Sequence, residues 1–410
     1  MKKPETGDTT LFRHIAELSG KIYPDMVKDR RHLHRYPELS FAEYETTRYI
    51  KEKLTGLGYA IHSPTPTGCV AVMEGGIASS KVTALRADID ALPILEDGDA
   101  KKDFISLKPG ISHCCGHDLH TANLLGTAAI LSANKERIPG RVVLVFQPGE
   151  EKLPGGASLI CESGILEDLG VQQIYGLHTD PNGEPGKIGI RHGRLMAKPD
   201  EFSVKIKGMG GHAASPHTCI DPVVIISQIV IQLQTIVSRN VNPADSAVVT
   251  VGKIEAGTAH NIIPAEGSLF GTVRTFRTET ADLIRRRLAE IATCTAQSYG
   301  AVAEFHYESG YPAVMNYPEQ TDNVIGIAAS LFGPESVVVM DEPYMAGEDF
   351  SYYLQKFKGA FFFLGSGSQA ADSQFAWHHP KYNVDEKCLL TGSALMASLV
   401  LVEGDYGKSE

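Results

Sequence analysis

The stretch Val82-Thr83-Ala84-Leu85-Arg86-Ala87-Asp88-Ile89-Asp90-Ala91-Leu92-Pro93 reads as a buried strand that runs out into two carboxylates and a turn. Residues 141–147, 171–177 and 359–364 are similar runs, apolar or β-branched and bounded by turn residues. Amphipathic stretches such as 40–57 and 119–135 lie between them, and strands alternating with helices predict an α/β layer structure with a largely parallel sheet. In such a sheet, ligands bind in the crevice beyond the carboxyl ends of the strands. Here those ends are polar: Asp88 and Asp90 after the first run, Gln147-Pro148-Gly149-Glu150-Glu151 after the second, and His178 after the third. An acidic pair after one strand is ordinarily a solvated turn. Separate strands delivering Asp, Glu-Glu and His to one edge predict a metal site.

The middle of the chain follows a different order. Residues 201–207 alternate as a half-exposed strand, 222–237 read as a helix, and 247–254 and 267–275 as strands. A helix over 279–298 and a strand over 301–308 complete a β-α-β-β-α-β unit, the ferredoxin-like split βαβ sandwich. The chain of 410 residues exceeds what one core usually supports. The expected division is a discontinuous catalytic domain, 1–197 with 312–410, and an inserted domain, 198–311.

Composition narrows the functional classes. Hydrophobic residues make up 43% and charged residues 21%, a globular balance. A formal net charge of -11 argues against nucleic-acid and anionic-membrane partners, both of which need a basic face. Residues 1–10 are polar with no apolar core of a signal peptide, and no apolar run approaches the roughly 20 residues of a membrane helix. The seven cysteines are odd in number and scattered, unlike a disulfide framework. A reduced, cytoplasmic setting is therefore expected.

The densest cluster of donors is His113-Cys114-Cys115-Gly116-His117-Asp118-Leu119-His120, leading into a helix. Cys, His and carboxylate form the ligand set of zinc and its neighbours, and the glycine frees the backbone to turn both flanking side chains one way. Adjacent cysteines do not both point readily at one ion, so one of Cys114 and Cys115 is expected to ligate and the other to pack. No second C-x-x-C or H-x-x-H closes a structural zinc knuckle. A late pair, His378-His379-Pro380, could close the site or lie in a surface loop. The adjacent Glu150 and Glu151 suit a division of labour in which one holds metal and the other takes a proton from water.

Together these motifs resemble the amidohydrolase branch of the aminoacylase/glutamate carboxypeptidase metallopeptidases, the group of hippurate and auxin-conjugate hydrolases. The resemblance starts at Arg31-His32-Leu33-His34-Arg35-Tyr36-Pro37-Glu38-Leu39-Ser40 and continues through Ala87-Asp88-Ile89-Asp90-Ala91-Leu92-Pro93, Cys115-Gly116-His117-Asp118 and Phe146-Gln147-Pro148-Gly149-Glu150-Glu151. Gly210-Gly211-His212-Ala213-Ala214-Ser215-Pro216-His217, Asn261-Ile262-Ile263-Pro264, Gly347-Glu348-Asp349-Phe350 and His378-His379-Pro380 complete it.

The resemblance implies a zinc-peptidase-like catalytic domain with a ferredoxin-like lid and dimerisation domain inserted. It implies two divalent ions per subunit, Mn²⁺ or Zn²⁺ with Co²⁺ or Ni²⁺ as alternatives. Their ligands would be Cys115, His117, Glu151, His178 and His378, with the Cys115 thiolate bridging. It also implies Glu150 as general base, and His212 reaching into the partner's site of a homodimer to polarise the scissile carbonyl. Asn261 and Arg274 would bind the substrate α-carboxylate, a task for which the planar Arg fork is suited.

The expected reaction is hydrolysis of an N-acyl amino acid or short peptide-like amide. The alternatives are a dipeptidase or carboxypeptidase of the same fold, a catalytically silent metabolite binder, and a cysteine hydrolase using Cys115 with His117. The chain departs from the family pattern at Gly149, commonly Ala, at Lys152-Leu153-Pro154, commonly a glycine run, and in the Asp- and Lys-rich stretch 96–108. These segments border the expected substrate cleft and bear on acyl-group preference.

Overall fold

The computed structural model describes residues 6–402. The chain divides into two compact units. One takes the residues up to Leu195, Met315–Glu342 and the chain from Asp349 on; the other takes Met196–Val314 and Pro343–Glu348.

The first unit is built on an eight-stranded sheet. Its strands are β1 (Ala60–His62), β2 (Cys69–Glu74), β3 (Ile77–Asp88), β4 (Pro139–Gln147), β5 (Gln173–Asp180) and β6 (Ile188–Ile190), with Val337–Val339 and Lys358–Gly365 from late in the chain. The spatial order is β1-β2-β4-β3-β5, then Lys358–Gly365, β6 and Val337–Val339. β3 lies parallel to β4 and β5, and β5 parallel to Lys358–Gly365. β1 runs antiparallel to β2, β2 to β4, and Lys358–Gly365 to β6. The sheet is therefore mixed and largely parallel at its centre, as the alternation of strands and helices predicts.

Central strands covered on both faces need continuous apolar sequence, and these have it. Phe361, Phe362 and Phe363 are wholly buried, as are Val142 to Phe146 in β4. Each such side chain contributes about 1.5–3 kcal/mol relative to exposure. Three helices matter for the site: α1 (Thr6–Arg35), α2 (Tyr44–Gly56) and α3 (His117–Ala133). α3 is buried on almost every side. At Gly126 an added Cβ would come within 2.2 Å of Met26 Sδ, so the closeness of α1 to α3 depends on that missing methyl. The C-terminal helix Cys388–Leu401 adds Leu389, Leu395 and Val400 to the same core. α1 and Cys388–Leu401 are not among the helices expected from the sequence.

The second unit carries a four-stranded antiparallel sheet in the order Ala247–Ala256, Glu266–Thr275, Lys198–Lys207, Val302–Glu308. Along Lys198–Lys207 alternate residues Phe202, Val204 and Ile206 are buried, the period-two signature of a sheet with one covered face. They pack with Ile225, Ile229 and Leu233 of the helix Pro222–Thr235 and with Ile284, Leu288 and Ile291 of Thr278–Ser298. Asp221 starts the first of these helices: its side chain accepts the Val223 N–H at 2.9 Å, ahead of a proline that is already set for a helical φ.

Candidate metal centre

Every polar group singled out at the strand ends of the first unit meets at one place. Gly116 takes a left-handed φ of 98°, and an added Cβ there would lie 2.5 Å from Thr179 Oγ1 and 2.9 Å from the Tyr382 hydroxyl. A glycine at this step lets Cys115 and His117 flank a tight turn at the start of α3. One ligand atom each from Cys115, His117 and His178 lie within 4.8 Å of one another, and so do atoms from Cys115, Glu151 and His378. Cys115 belongs to both groups. A further group joins His117 to Glu150 and Glu151, and another joins Asp88, His117 and His120.

The hydrogen bonds fix which atoms face inward. His117 Nδ1–H donates to the Asp90 carbonyl at 3.0 Å and to Asp90 Oδ1 at 3.2 Å. His178 Nδ1–H donates to the Thr179 carbonyl at 2.8 Å, which leaves Nε2 3.3 Å from Cys115 Sγ. The His378 backbone N–H donates to the Cys114 carbonyl at 2.8 Å, and its Nε2 lies 3.2 Å from Glu151 Oε1. His379 instead stacks on Phe375. The Cys114 thiol is buried beside Ser112 Oγ, 3.0 Å away.

The donor set fits divalent cations. His117 Nε2 is buried without a hydrogen-bond partner and lies 3.9 Å from Glu151 Oε1, whose near neighbour is His378 Nε2. Such an orphan is costly in a dry interior unless something binds it. Electrostatics carry the same demand. Burial alone would lower the His117 pKa, but Asp88, Asp90 and Glu151 outweigh it and raise it to about 10. The Cys115 thiol is pushed well up, first by burial and then by Glu151, Glu150 and Asp88. A site that calls for positive charge and surrounds an imidazole and a thiol with carboxylates matches an N/O/S-ligated ion. It is the reverse of a cysteine nucleophile's surroundings, which lower the thiol pKa. At His178, burial and then His120 hold the pKa well below the usual value, which keeps the imidazole neutral enough to serve as a ligand.

Three supporting residues were not assigned roles from the sequence. Asp90 is a hub: besides His117, it accepts the Glu151 backbone N–H at 3.0 Å and the Ser40 hydroxyl at 2.7 Å through Oδ2. Asp88 Oδ2 lies 3.6 Å from His117 Nε2, and Asp88 Oδ1 accepts His120 Nδ1–H at 2.6 Å. His120 stands three residues after His117 on α3, the spacing that places two helical side chains on one face, which is the one signal that could have selected it. His113 goes elsewhere. It is fully buried, neither ring nitrogen has a hydrogen-bond partner, and burial lowers its pKa to about 4.

The remaining candidates belong to the second unit. Gly211–His212 pairs with Ile262–Ile263 in a two-residue ladder, and the Ala213 N–H donates to the Asn261 carbonyl at 3.1 Å. His212 stands opposite Ile262 and Asn261 is the next residue along, bonded to Ala213; both are exposed. His212 Nδ1 accepts the Ala214 N–H at 3.1 Å, so Nε2 carries the hydrogen and points away from the turn. Arg274 sits on Glu266–Thr275, half-buried, with Nε donating to the Met345 carbonyl at 3.1 Å.

Comparison with known proteins agrees with this geometry. N-acetyl-L-cysteine deacetylase of Bacillus subtilis (strain 168) is 41% identical over 367 residues, 89% of this chain and 84% of that protein. An N-acyl-L-amino acid amidohydrolase of Geobacillus stearothermophilus is 42% identical over 306 residues, covering 74% and 81% of the two chains. Among solved structures, a Bacillus subtilis protein described as a dinuclear metal binding peptidase of the M20 family superposes with a TM-score of 0.79 at 35% identity, covering 93% of this chain and 98% of that one. The resemblance read from the motifs is thereby borne out. Residues 84–402 match the model of Peptidase family M20/M25/M40, and the chain belongs to that family.

Proposed function

We propose that this chain hydrolyses the amide bond of N-acyl amino acids, releasing the amino acid and a carboxylic acid. The observation that carries this reading is the pair of ligand groups overlapping at Cys115, with Glu150 alongside His117 and Glu151. The deacetylase and amidohydrolase relatives supply the substrate class.

Cys115, His117, Glu151, His178 and His378 would hold two divalent cations, Mn²⁺ or Zn²⁺ by preference. When bound, such ions supply Lewis-acid polarisation and make water acidic enough to ionise near neutral pH. Glu150 takes a proton from the attacking water at its carboxylate and returns it to the leaving amine. Asp90 holds His117 and the Glu151 backbone in register through its two oxygens. His212, donating from Nε2, polarises the scissile carbonyl in the partner subunit's site, and Asn261 and Arg274 bind the substrate carboxylate. All seven cysteines are free, which suits a reducing cytoplasm.

The second unit serves as lid and dimerisation domain. Val224, Ile231 and Val237 are exposed along one helical stretch, and Ile254 is exposed on the edge strand Ala247–Ala256. A second copy pairing through this helix and edge would cover both. Among the described residues, Pro222–Asn240 is the one helix long and apolar enough to cross a membrane, with 33% of its apolar window buried.

Two experiments test the reading. Chelator-treated enzyme is expected to lose hydrolysis of N-acetyl and N-benzoyl amino acids and to regain it with Mn²⁺ or Zn²⁺; full activity of demetallated protein sinks the proposal. The fluorescence of Trp377 follows the same titration, since it is the only tryptophan and its ring centroid is 5.0 Å from that of His178. For the crossed site, His212→Ala and Glu150→Gln chains are each expected to be inactive alone. Verified heterodimers should regain activity through one intact composite site, and heterodimers as inactive as the parents would place His212 outside the partner's site.

A further inference from the structure

Lys101 lies in the Asp- and Lys-rich stretch where the chain departs from its relatives' pattern, yet its side chain is wholly buried. A buried ammonium is retained only with close partners, and Lys101 has two from distant parts of the chain. Its Nζ lies 2.5 Å from Glu96 Oε1 and donates to the Tyr382 carbonyl at 2.5 Å. A backbone bond runs parallel to this bridge, the Asp97 N–H donating to the Pro380 carbonyl at 2.9 Å.

Both ends of the bridge are anchored near the candidate ligands. Glu96 Oε1 also meets His34 Nε2 at 2.6 Å, and the His34 Nδ1 side meets Asp118 Oδ2 at 2.7 Å, one residue from His117. Glu96 Oε2 accepts the Ser106 N–H, which holds the stretch in place. At the other end, the Tyr382 N–H donates to the His379 carbonyl at 2.8 Å and closes the turn that follows His378. The Tyr382 hydroxyl bonds Thr179 Oγ1 at 2.7 Å. His378 itself takes a left-handed φ of 64°, a conformation that a non-glycine residue holds only when its surroundings impose it. Its side chain is 53% exposed, so little packing fixes it directly.

We infer that Lys101 is a positioning residue for one half of the metal centre: by tying Glu96 to the Tyr382 carbonyl, it holds the His378 turn where Nε2 can meet Glu151 and Cys115. The inference rests on the proposed role of His378 as a ligand. The two ligand groups make it specific. The Cys115–His117–His178 group stands on β5 and the start of α3, whereas the Cys115–Glu151–His378 group depends on the tethered turn. Loss of the tether therefore weakens the second ion more than the first.

The test compares the wild-type chain with Lys101→Met and with the charge-balanced pair Lys101→Met/Glu96→Gln. Mn²⁺ or Zn²⁺ is titrated into metal-free protein, with calorimetry and Trp377 fluorescence as readouts and thermal unfolding of the metal-free forms measured alongside. The expected result is two ions in the wild type, and a second ion at least tenfold weaker in both variants with the first nearly unchanged. The pair should recover the thermal stability that Lys101→Met loses, yet keep the weak second ion. If both ions bind the pair as tightly as the wild type, or weaken equally in it, Lys101 serves folding alone and the inference fails. A wild-type chain that takes up no second ion overturns the ligand reading and this inference together. A wild type that takes two, with unaffected variants, overturns only the inference.

Discussion

Glu150→Gln is expected to lower kcat by about 10²–10⁴-fold, the usual contribution of a positioned general base, while the chain keeps its full complement of divalent ions. The amide is nearly the size of the carboxylate but cannot accept and return a proton at neutral pH. Metal retention is expected because the two groups that share Cys115 draw on His117, His178, Glu151 and His378, not on Glu150. The neighbouring Glu151 supplies the contrast. It faces both His117 Nε2 and His378 Nε2, so Glu151→Gln should lower metal affinity first and activity as a consequence. Elemental analysis and steady-state kinetics on the same preparations decide between the two glutamates. Metal lost along with activity in Glu150→Gln, but retained in Glu151→Gln, would mean that their roles are exchanged.

A second large effect is expected on stability. Arg86 lies within β3 at 1% exposure, and its guanidinium donates to Gln147 Oε1 at 2.9 Å, Asp88 Oδ2 at 2.8 Å and Asp349 Oδ1 at 2.8 Å. Asp349 also accepts from Gln147 Nε2 and the Ala157 N–H. Arg86→Met keeps most of the apolar stem but leaves two buried carboxylates without their cation. Breaking a buried pair from one side costs about 3–5 kcal/mol, and that loss is expected in denaturant unfolding of the metal-free chain. Added salt should not restore it, because buried charges are poorly screened. A loss below about 1 kcal/mol, the range of exposed pairs, would show that the network is not held by Arg86. The Asp88 carboxylate that it supports also bonds His120, so the damage should extend to metal affinity.

The parts of the fold legible in the sequence are those where burial writes a simple pattern. The buried parts of β3, β4, β5 and Lys358–Gly365 are mainly apolar or β-branched, and the polar residues at the ends of the first three, from Asp88 and Asp90 to Glu150, Glu151 and His178, announce themselves by contrast. α1 was not legible: Pro24 lies in its interior, and its last turns are polar residues such as Arg30 and His34. Those residues are buried only because Asp118 waits for them on α3. Cys388–Leu401 is apolar on every side, and without a period a helix cannot be told from a buried strand. Within the site, chain proximity could not separate His120 from His113, because one reaches Asp88 and the other nothing. Lys101 read as one more surface charge, since its burial depends on a carbonyl 281 positions later.

The place of Lys358–Gly365 in the sheet has a consequence for how the chain is born. This strand lies between β5 and β6, though it leaves the ribosome long after both. Until it arrives, β5 presents an unpaired apolar edge, and the core side chains destined to meet Phe361, Phe362 and Phe363 have no cover. The second unit, nearly contiguous in the chain, can collapse on its own during that wait, as domains usually do in synthesis. The first unit cannot. A nascent or truncated chain that stops short of Gly365 therefore offers an open strand edge of the kind that seeds aggregation, and the turn bearing His378 is made later still. Folding of the sheet waits for Lys358–Gly365, and the turn that carries His378 can close only after it.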